Sequence, residues 1–181
     1  MPSVLLENRD YLRRLDASFY RGQAYVHWTM TMAERAEGWL DASHRRAVRE
    51  LLFHALACYR LACPAYCLMP DHGHFLLVGL NARSDQLKAT AWFRKEWNTL
   101  LAPFRLQKQA HDHVLRVSDR ERGAFANVAG YILRNPVRNG LVEDWKDWEF
   151  SGAVFPGYPK LDPRKNYFCN NFWKAVLEQG D

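Results

Sequence analysis

The strongest constraint on the fold is a pair of apolar runs separated by two turn residues. The first run covers Ala65 to Met69, and the second covers His72 to Leu80. Pro70 and Asp71 lie between them and are typical of a turn, because proline presets its own φ and aspartate bonds to nearby backbone. The runs therefore predict a β-hairpin. Strands joined this closely must be antiparallel.

The segments around the hairpin are predicted to alternate between strands and helices. Ala24 to Met32 alternates apolar and polar residues, as a half-buried strand does. Capping residues and apolar periodicity predict helices over about 41–61, 84–101 and 120–135, and a shorter strand over 110–117. Paired strands separated by helices favour an α+β fold, with an antiparallel sheet of about four to five strands and helices packed on it.

Prolines and composition set the expected boundaries. Pro64 and Pro136 are each expected to end a helix, because the residue before proline disfavours helical backbone. Residues 1–150 are predicted to form one domain. Residues 151–181 are predicted to form a C-terminal tail packed on that domain, with a short helix near 169–178.

The composition excludes a largely disordered chain, because 48% of the 181 residues are hydrophobic. The formal net charge of +5 is moderate, but the arginines occur in clusters that suit a polyanion such as nucleic acid. We find no signal-like N-terminus and no segment long enough to span a membrane. We therefore expect a cytoplasmic protein with reduced thiols and no membrane partner.

Two histidines begin the second strand of the hairpin. Alternate residues of a strand point the same way, so His72 and His74 are predicted to lie side by side on one face. Two such imidazoles can share one divalent cation, with a third ligand from elsewhere. The pattern is short, and a pair of half-exposed histidines at a hairpin mouth explains it equally well. Gly73 between them allows close approach of whatever packs behind the strand.

A second polar pair occurs far along the chain, in a predicted helix. Tyr131 and Asn135 are four residues apart and should share a helix face. A carboxamide oxygen can complete a metal's ligand set, and a phenol beside it can act as a nucleophile. Because Pro136 follows, we expect Asn135 near an open, reachable helix end.

The two segments together, MPDHGHFLLV and YILRNPVRNGLVEDW, resemble the single-tyrosine HUH transposase superfamily. Within it, the match is to the REP-associated tyrosine transposases. The resemblance extends from the first strand to WEFSG at 148–152 and includes HDHVLR at 111–116. It implies the ferredoxin-like or RRM-like HUH fold. The sequence departs from the family at Gly73, where the family carries a bulky apolar residue.

The resemblance also implies roles for the four polar residues. His72, His74 and Asn135 would bind Mg²⁺ or Mn²⁺, and Tyr131 would attack a DNA phosphate. The expected product is a covalent 5′-phosphotyrosine with a free 3′-hydroxyl. Because a free tyrosine has a pKa of about 10, Tyr131 needs the cation or a base to become nucleophilic. The implied activity is that of a single-stranded DNA endonuclease and strand transferase acting beside hairpins.

Basic residues near aromatic ones are the predicted DNA contacts, because aromatic rings stack on bases and arginines bind phosphates. They are Arg13, Arg14, Arg94, Lys95, Arg134 and Arg138. Core packing or an ordinary solvated charge explains each of them equally well. Whether one protomer suffices or a homodimer acts stays open.

Three other interpretations are kept. A hairpin-DNA-binding protein without catalysis would need only the basic and aromatic surface. A structural zinc site could use Cys58, Cys63 and Cys67, although their spacing does not match known zinc modules. The HDH segment at 111–113 could offer another metal pair, but we expect a strand edge with His113 facing away from the first pair.

Overall fold

The structure is a computed structural model that describes residues 14–115 and 122–179. The longer elements are, in chain order, β1 (Tyr25–Thr31), α1 (Ala42–Tyr59), β2 (Leu61–Met69), β3 (His72–Gly79), α2 (Gln86–Leu101), β4 (His111–Val114), α3 (Arg122–Leu133), α4 (Asn135–Arg138), β5 (Ser151–Val154) and α5 (Phe168–Gln179). Short 3-10 turns in the described residues cover Ala17–Tyr20, Ala33–Arg35 and Trp145–Asp147.

The five strands form one antiparallel sheet in the order β4-β1-β3-β2-β5. The predicted hairpin is β2-β3, with Met69 opposite His72, and it occupies the centre of the sheet. The helices pack on both faces of this sheet. The α+β fold predicted from the sequence is confirmed.

The role predicted for Pro64 is wrong. Helix α1 ends earlier, at Arg60, whose positive φ of 55° turns the chain in the left-handed region. Pro64 lies inside β2, where the pairing register with β3 shifts between Ala62 and Ala65. A strand tolerates proline at such an irregularity, because the missing N–H falls where regular pairing is interrupted.

The sheet separates two hydrophobic cores. The first core joins α1 and α2 to side chains such as Trp28 of β1 and Phe75 of β3. The second core joins α3 and α5 to side chains such as Leu76 and Val78 of β3. Because strand residues alternate between faces, His72 and His74 project toward the second core.

The segment after residue 150 contributes to the same sheet and the same cores. Strand β5 pairs with β2 as an edge strand. Helix α5 buries Phe168, Phe172 and Ala175 in the second core. In the part of the chain that the structure describes, no helix is long and apolar enough to cross a membrane.

Candidate active site

His72 and His74 lie side by side near the start of β3. The Nε2 atoms of the two rings are 3.0 Å apart. His74 is buried and His72 is half-buried. Thr29 of β1 lies directly opposite His74 in the sheet, so the neighbouring strand flanks the site.

The other nitrogen of each ring has its own partner. His72 Nδ1 lies 2.5 Å from Asp71 Oδ1, and Asp71 is held in turn by Arg35 at 2.8 Å. His74 Nδ1 lies 3.0 Å from His27 Nε2 and 3.1 Å from Thr29 Oγ1. Since a carboxylate only accepts hydrogen bonds, the Nδ1–H of His72 donates to Asp71, and its Nε2 atom faces His74.

The electrostatics favour neutral imidazole at the centre of the site. Burial, together with the nearby His27 and His72, lowers the pKa of His74 to about 3. Burial likewise lowers the pKa of His27 to about 4. Burial alone would raise the pKa of Asp71, but the hydrogen bonds from His72 and Arg35 lower it overall. The Asp71 carboxylate is therefore charged and His74 is neutral at pH 7.

These residues fit a divalent cation. Two neutral imidazole nitrogens with bonds of about 2.1 Å to one ion lie about 3 Å apart when they are adjacent ligands. The Nε2 atoms of His72 and His74 have this separation. Their Nδ1 atoms make the outer hydrogen bonds that orient metal-binding histidines. Among the described residues, no group of three or more His, Cys, Asp or Glu side chains is placed to hold a metal ion. A third protein ligand from among these residues would therefore have to be of another kind, such as a carboxamide.

The glycine between the histidines has a packing reason. A Cβ atom at Gly73 would lie 2.9 Å from Phe75 Cε2 and 3.1 Å from Trp97 Cη2. Trp97 of α2 is fully buried against this position. The close approach expected behind the strand is confirmed, and an aromatic ring fills the space of the missing side chain.

Tyr131 lies over the histidines at the end of α3. Its ring centroid is 6.1 Å from that of His74 and 6.2 Å from that of His27. The Tyr131 side chain is 43% exposed. The guanidinium of Arg138 lies over this ring, 4.7 Å from its centroid. The tyrosine is therefore near the histidine pair and open to a ligand from solvent.

Asn135 does not lie at an open helix end, contrary to the expectation. Helix α3 ends at Leu133, and Asn135 begins α4 with only 6% of its surface exposed. Its Nδ2 donates to the carbonyl oxygens of Tyr131 at 3.1 Å and Ile132 at 3.5 Å. Because Pro136 has no N–H, the Ile132 carbonyl lacks its usual helical partner, and the Asn135 side chain takes that place. The side-chain oxygen of Asn135 makes no hydrogen bond within the described residues.

The predicted DNA-contacting residues fall into separate groups. Arg134 and Arg138 are exposed at the α3–α4 junction, beside Tyr131. Arg14 is bonded to Asp112 at 3.2 Å and stacks on Trp28, on the face of the sheet opposite the histidines. Arg13 lies outside the described residues.

The basic pair on α2 also lies on the opposite face. The Arg94 guanidinium is half-buried and donates to the Gln107 carbonyl. Burial lowers the pKa of Arg94. Lys95 is exposed and lies 3.8 Å from Glu96. Of the nearby aromatics, Phe93 and Trp97 are buried in the first core.

His27 was missed by the sequence analysis, and His113 was placed on the wrong face. His113 pairs directly with His27, and His111 pairs with Thr29. Directly paired residues project from the same face of a sheet, so His111 and His113 share the face of His74. The alternation of β1 marked His27 as polar, but only the register between β1 and β3 places it against His74. The expected edge position of this strand is confirmed.

The cysteines do not assemble with the histidines. Cys58 is exposed on α1, whereas Cys63 and Cys67 are buried in β2. Cys67 lies opposite His74, and burial raises the pKa of its thiol to about 12. A thiol in that state is protonated and is a poor metal ligand.

The chain is similar to known proteins in both sequence and structure. No protein-family model matches the chain. A Haemophilus influenzae protein named "Putative REP-associated tyrosine transposase" is 28% identical over 152 residues, covering 74% of this chain and 81% of the relative. A solved REP-associated tyrosine transposase bound to a REP hairpin superposes with a TM-score of 0.63 at 17% identity, covering 92% of this chain and 87% of that chain. The resemblance of this chain to the REP-associated tyrosine transposases is therefore confirmed.

Proposed function

We propose that this chain is a metal-dependent single-stranded DNA endonuclease and strand transferase that cleaves beside hairpins through a 5′-phosphotyrosine. The observation that carries the proposal is the position of Tyr131, whose ring lies 6.1 Å from that of His74 although the two residues come from distant elements. Both relatives are tyrosine transposases by name, and the solved one is bound to a REP hairpin.

The residues divide the chemistry among them. A divalent cation, Mg²⁺ or Mn²⁺, bound by His72, His74 and Asn135 would neutralise a non-bridging phosphate oxygen. Tyr131 Oη forms a bond to phosphorus while the P–O3′ bond breaks. The leaving oxygen takes a proton as the 3′-hydroxyl, and the exposed phenol releases its own proton to solvent. Arg138, stacked on the Tyr131 ring, is close enough to attract the phosphate. The phosphotyrosine linkage is itself a phosphodiester, so a 3′-hydroxyl can attack it and rejoin the DNA strand.

The decisive experiment traps the covalent product. The protein is incubated with 3′-labelled single-stranded DNA carrying an imperfect palindrome, in Mg²⁺ or Mn²⁺, and run on a denaturing protein gel. We expect a labelled band at the mass of the protein plus the DNA fragment. Tyr131→Phe should abolish this band and leave DNA affinity nearly unchanged. Tyr167→Phe is the matched control, because Tyr167 is also exposed but lines a separate cavity beside Lys160 and Lys174.

The same assay tests the metal. EDTA and His72→Ala should each remove the band, since both remove the cation from the phosphate. A band that persists in EDTA would contradict the metal requirement. Gel-shift binding without any covalent band in either metal would instead identify a catalytically silent hairpin-binding protein.

The arrangement supports a site completed within one chain, because Tyr131 lies beside the histidines of its own chain. A mixture of Tyr131→Phe and His72→Ala proteins should then form no adduct. Restored adduct in the mixture would indicate a homodimer in which the tyrosine-bearing helix is exchanged between protomers.

A further inference from the structure

A cationic cavity lies at the β5 edge of the sheet, on the face covered by α1, and the proposed chemistry does not use it. Its volume is about 630 Å³, and its walls come from α1, β2, β5 and the segment 146–164. Its cationic side chains are Arg45, Arg46, Arg49, Lys146 and Arg164, and its carboxylates are Asp147, Glu149 and Asp162. Cations are therefore in excess in the lining.

Two of the five cations hold the wall of the cavity. Arg45 lies 3.3 Å from the carboxylate of Glu149. Arg164 lies 3.3 Å from the carboxylate of Asp162 and donates to the backbone carbonyl of Ser151 at 3.1 Å. These pairs neutralise two of the three carboxylates. They also fix the segment that closes the cavity against β5.

The other three cations are available to a ligand. Arg46, Arg49 and Lys146 are exposed. Within the residues that the structure describes, none of them has a carboxylate within 4.0 Å. Of the carboxylates in the lining, Asp147 is the one that pairs with neither Arg45 nor Arg164. A guanidinium presents its N–H groups in a fork that matches a phosphate group.

Tyr66 adds a neutral donor to the cavity. A Cβ atom at Gly152 would lie 3.1 Å from the Tyr66 hydroxyl, so the glycine keeps the hydroxyl uncrowded. Burial raises the pKa of Tyr66, although Arg49 and Arg45 act in the opposite direction. The phenol therefore keeps its proton and can donate a hydrogen bond to an anion. Its ring is buried in the first core, which leaves no exposed ring in this lining for a base to stack on.

We propose that this cavity binds a backbone phosphate of the DNA strand that continues beyond the hairpin. The inference rests on the proposed function and deepens it. The donors suit phosphate, and the absence of a stacking ring in the lining argues against a base. Helix α4, which carries Arg138, packs against the turn Trp145–Asp147 that supplies Lys146. In this proposal, a strand leaving Tyr131 past Arg138 runs along this turn to the cavity.

The test compares hairpins with and without single-stranded extensions, in the Tyr131→Phe background so that no strand is cut. The Arg46→Ala/Arg49→Ala variant should bind the extended hairpin about tenfold more weakly. The slope of log affinity against log salt should fall by roughly 0.7, the loss of one phosphate contact on a single strand. Affinity for the bare hairpin should be unchanged.

The matched control is Arg83→Ala/Lys88→Ala, which removes the same charge from exposed positions. Arg83 lies beyond the far end of α1, near Arg60, and helix α1 is about 27 Å long. This control should leave affinity and salt slope as they were. Equal losses of DNA affinity in the two double variants would overturn the proposal, because the affinity would then depend on net charge alone.

Other outcomes separate this inference from the function it rests on. An unchanged salt slope in Arg46→Ala/Arg49→Ala, with normal adduct formation when Tyr131 is present, would overturn the cavity and leave the function intact. A flank-dependent loss of binding in a protein that never forms adduct would support the cavity and reject the function. If inorganic phosphate shifts the amide resonances of Ser151–Ala153 but extended-hairpin affinity does not depend on the two arginines, the DNA assignment is overturned.

Discussion

The two nitrogens of each candidate metal-binding histidine have different partners. In both His72 and His74 the Nε2 atom faces the other ring, and Nδ1 is held from behind. The group behind His72 is the Asp71 carboxylate, which carries charge, whereas the group behind His74 is a neutral ring and a hydroxyl. Asp71 should therefore contribute the larger share of ligand orientation and basicity.

We predict that Asp71→Ala weakens Mn²⁺ binding about tenfold to a hundredfold, the usual effect of removing such a hydrogen-bond partner. Electron paramagnetic resonance of free Mn²⁺ during titration would measure this change. Arg35→Ala removes the ion pair with Asp71 but leaves the His72 hydrogen bond, so its effect should be much smaller. Equal losses of Mn²⁺ affinity in the two variants would contradict a role for Asp71 through its hydrogen bond to His72.

At the scale of the element, β3 carries the site on one side and core packing on the other. Gly73 faces Phe75 and Trp97, while its neighbours His72 and His74 face the second core. The strand can present both histidines because it leaves room behind them for a tryptophan. Packing of α2 and the geometry of the site are therefore linked through one residue.

Gly73→Ala should lower the free energy of unfolding by about 1–3 kcal/mol, because its Cβ would overlap Phe75 and crowd Trp97. Urea denaturation would measure the loss. Gly130→Ala in α3 is the matched control, since a Cβ there meets nothing within 4 Å, and it should stabilise by about 0.5–1 kcal/mol. Phe75→Leu should cost less in the Gly73→Ala background than alone, and independent costs would contradict the overlap.

At the scale of the whole molecule, the sheet separates two hydrophobic cores, and the second core packs against the helix that carries Tyr131. The second core holds α3, which carries Tyr131, through ring contacts with α5. Phe125 of α3 stacks with Phe172 of α5 at 6.0 Å and lies 4.8 Å from Trp173. Helix α5 therefore supports the helix that carries Tyr131, the proposed nucleophile.

Phe172→Ala should lower the free energy of unfolding by about 3–5 kcal/mol, as loss of a buried ring does. Hydrogen exchange should show the protection falling first in α3, around Ile132, and later in α1, around Val48. Leu52→Ala in the first core should give the reverse order. A uniform loss of protection in both variants would show that the two cores unfold as one unit.

Much of the fold follows from patterns that are local in the chain. The Pro70–Asp71 turn and the alternation on either side of it are sufficient for the hairpin, and capping residues are sufficient for α1 and α2. Strand β5 has only four residues and was not assigned, because so short a segment has too little periodicity to be recognised. The start of β2 was misplaced at Ala65, because the left-handed residue Arg60 turns the chain directly after α1 and the strand begins at Leu61.

The sequence by itself determined which way side chains point relative to their own element, and so placed His72 and His74 on one face of a strand. It also carried the two motifs from which the resemblance was drawn. Only the tertiary structure decided which elements lie together: His27 against His74, Asn135 buried at a helix break, Arg94 half-buried on the opposite face. The physical reason is that periodicity is set within a few residues, whereas strand register and helix packing depend on contacts between segments far apart in the chain.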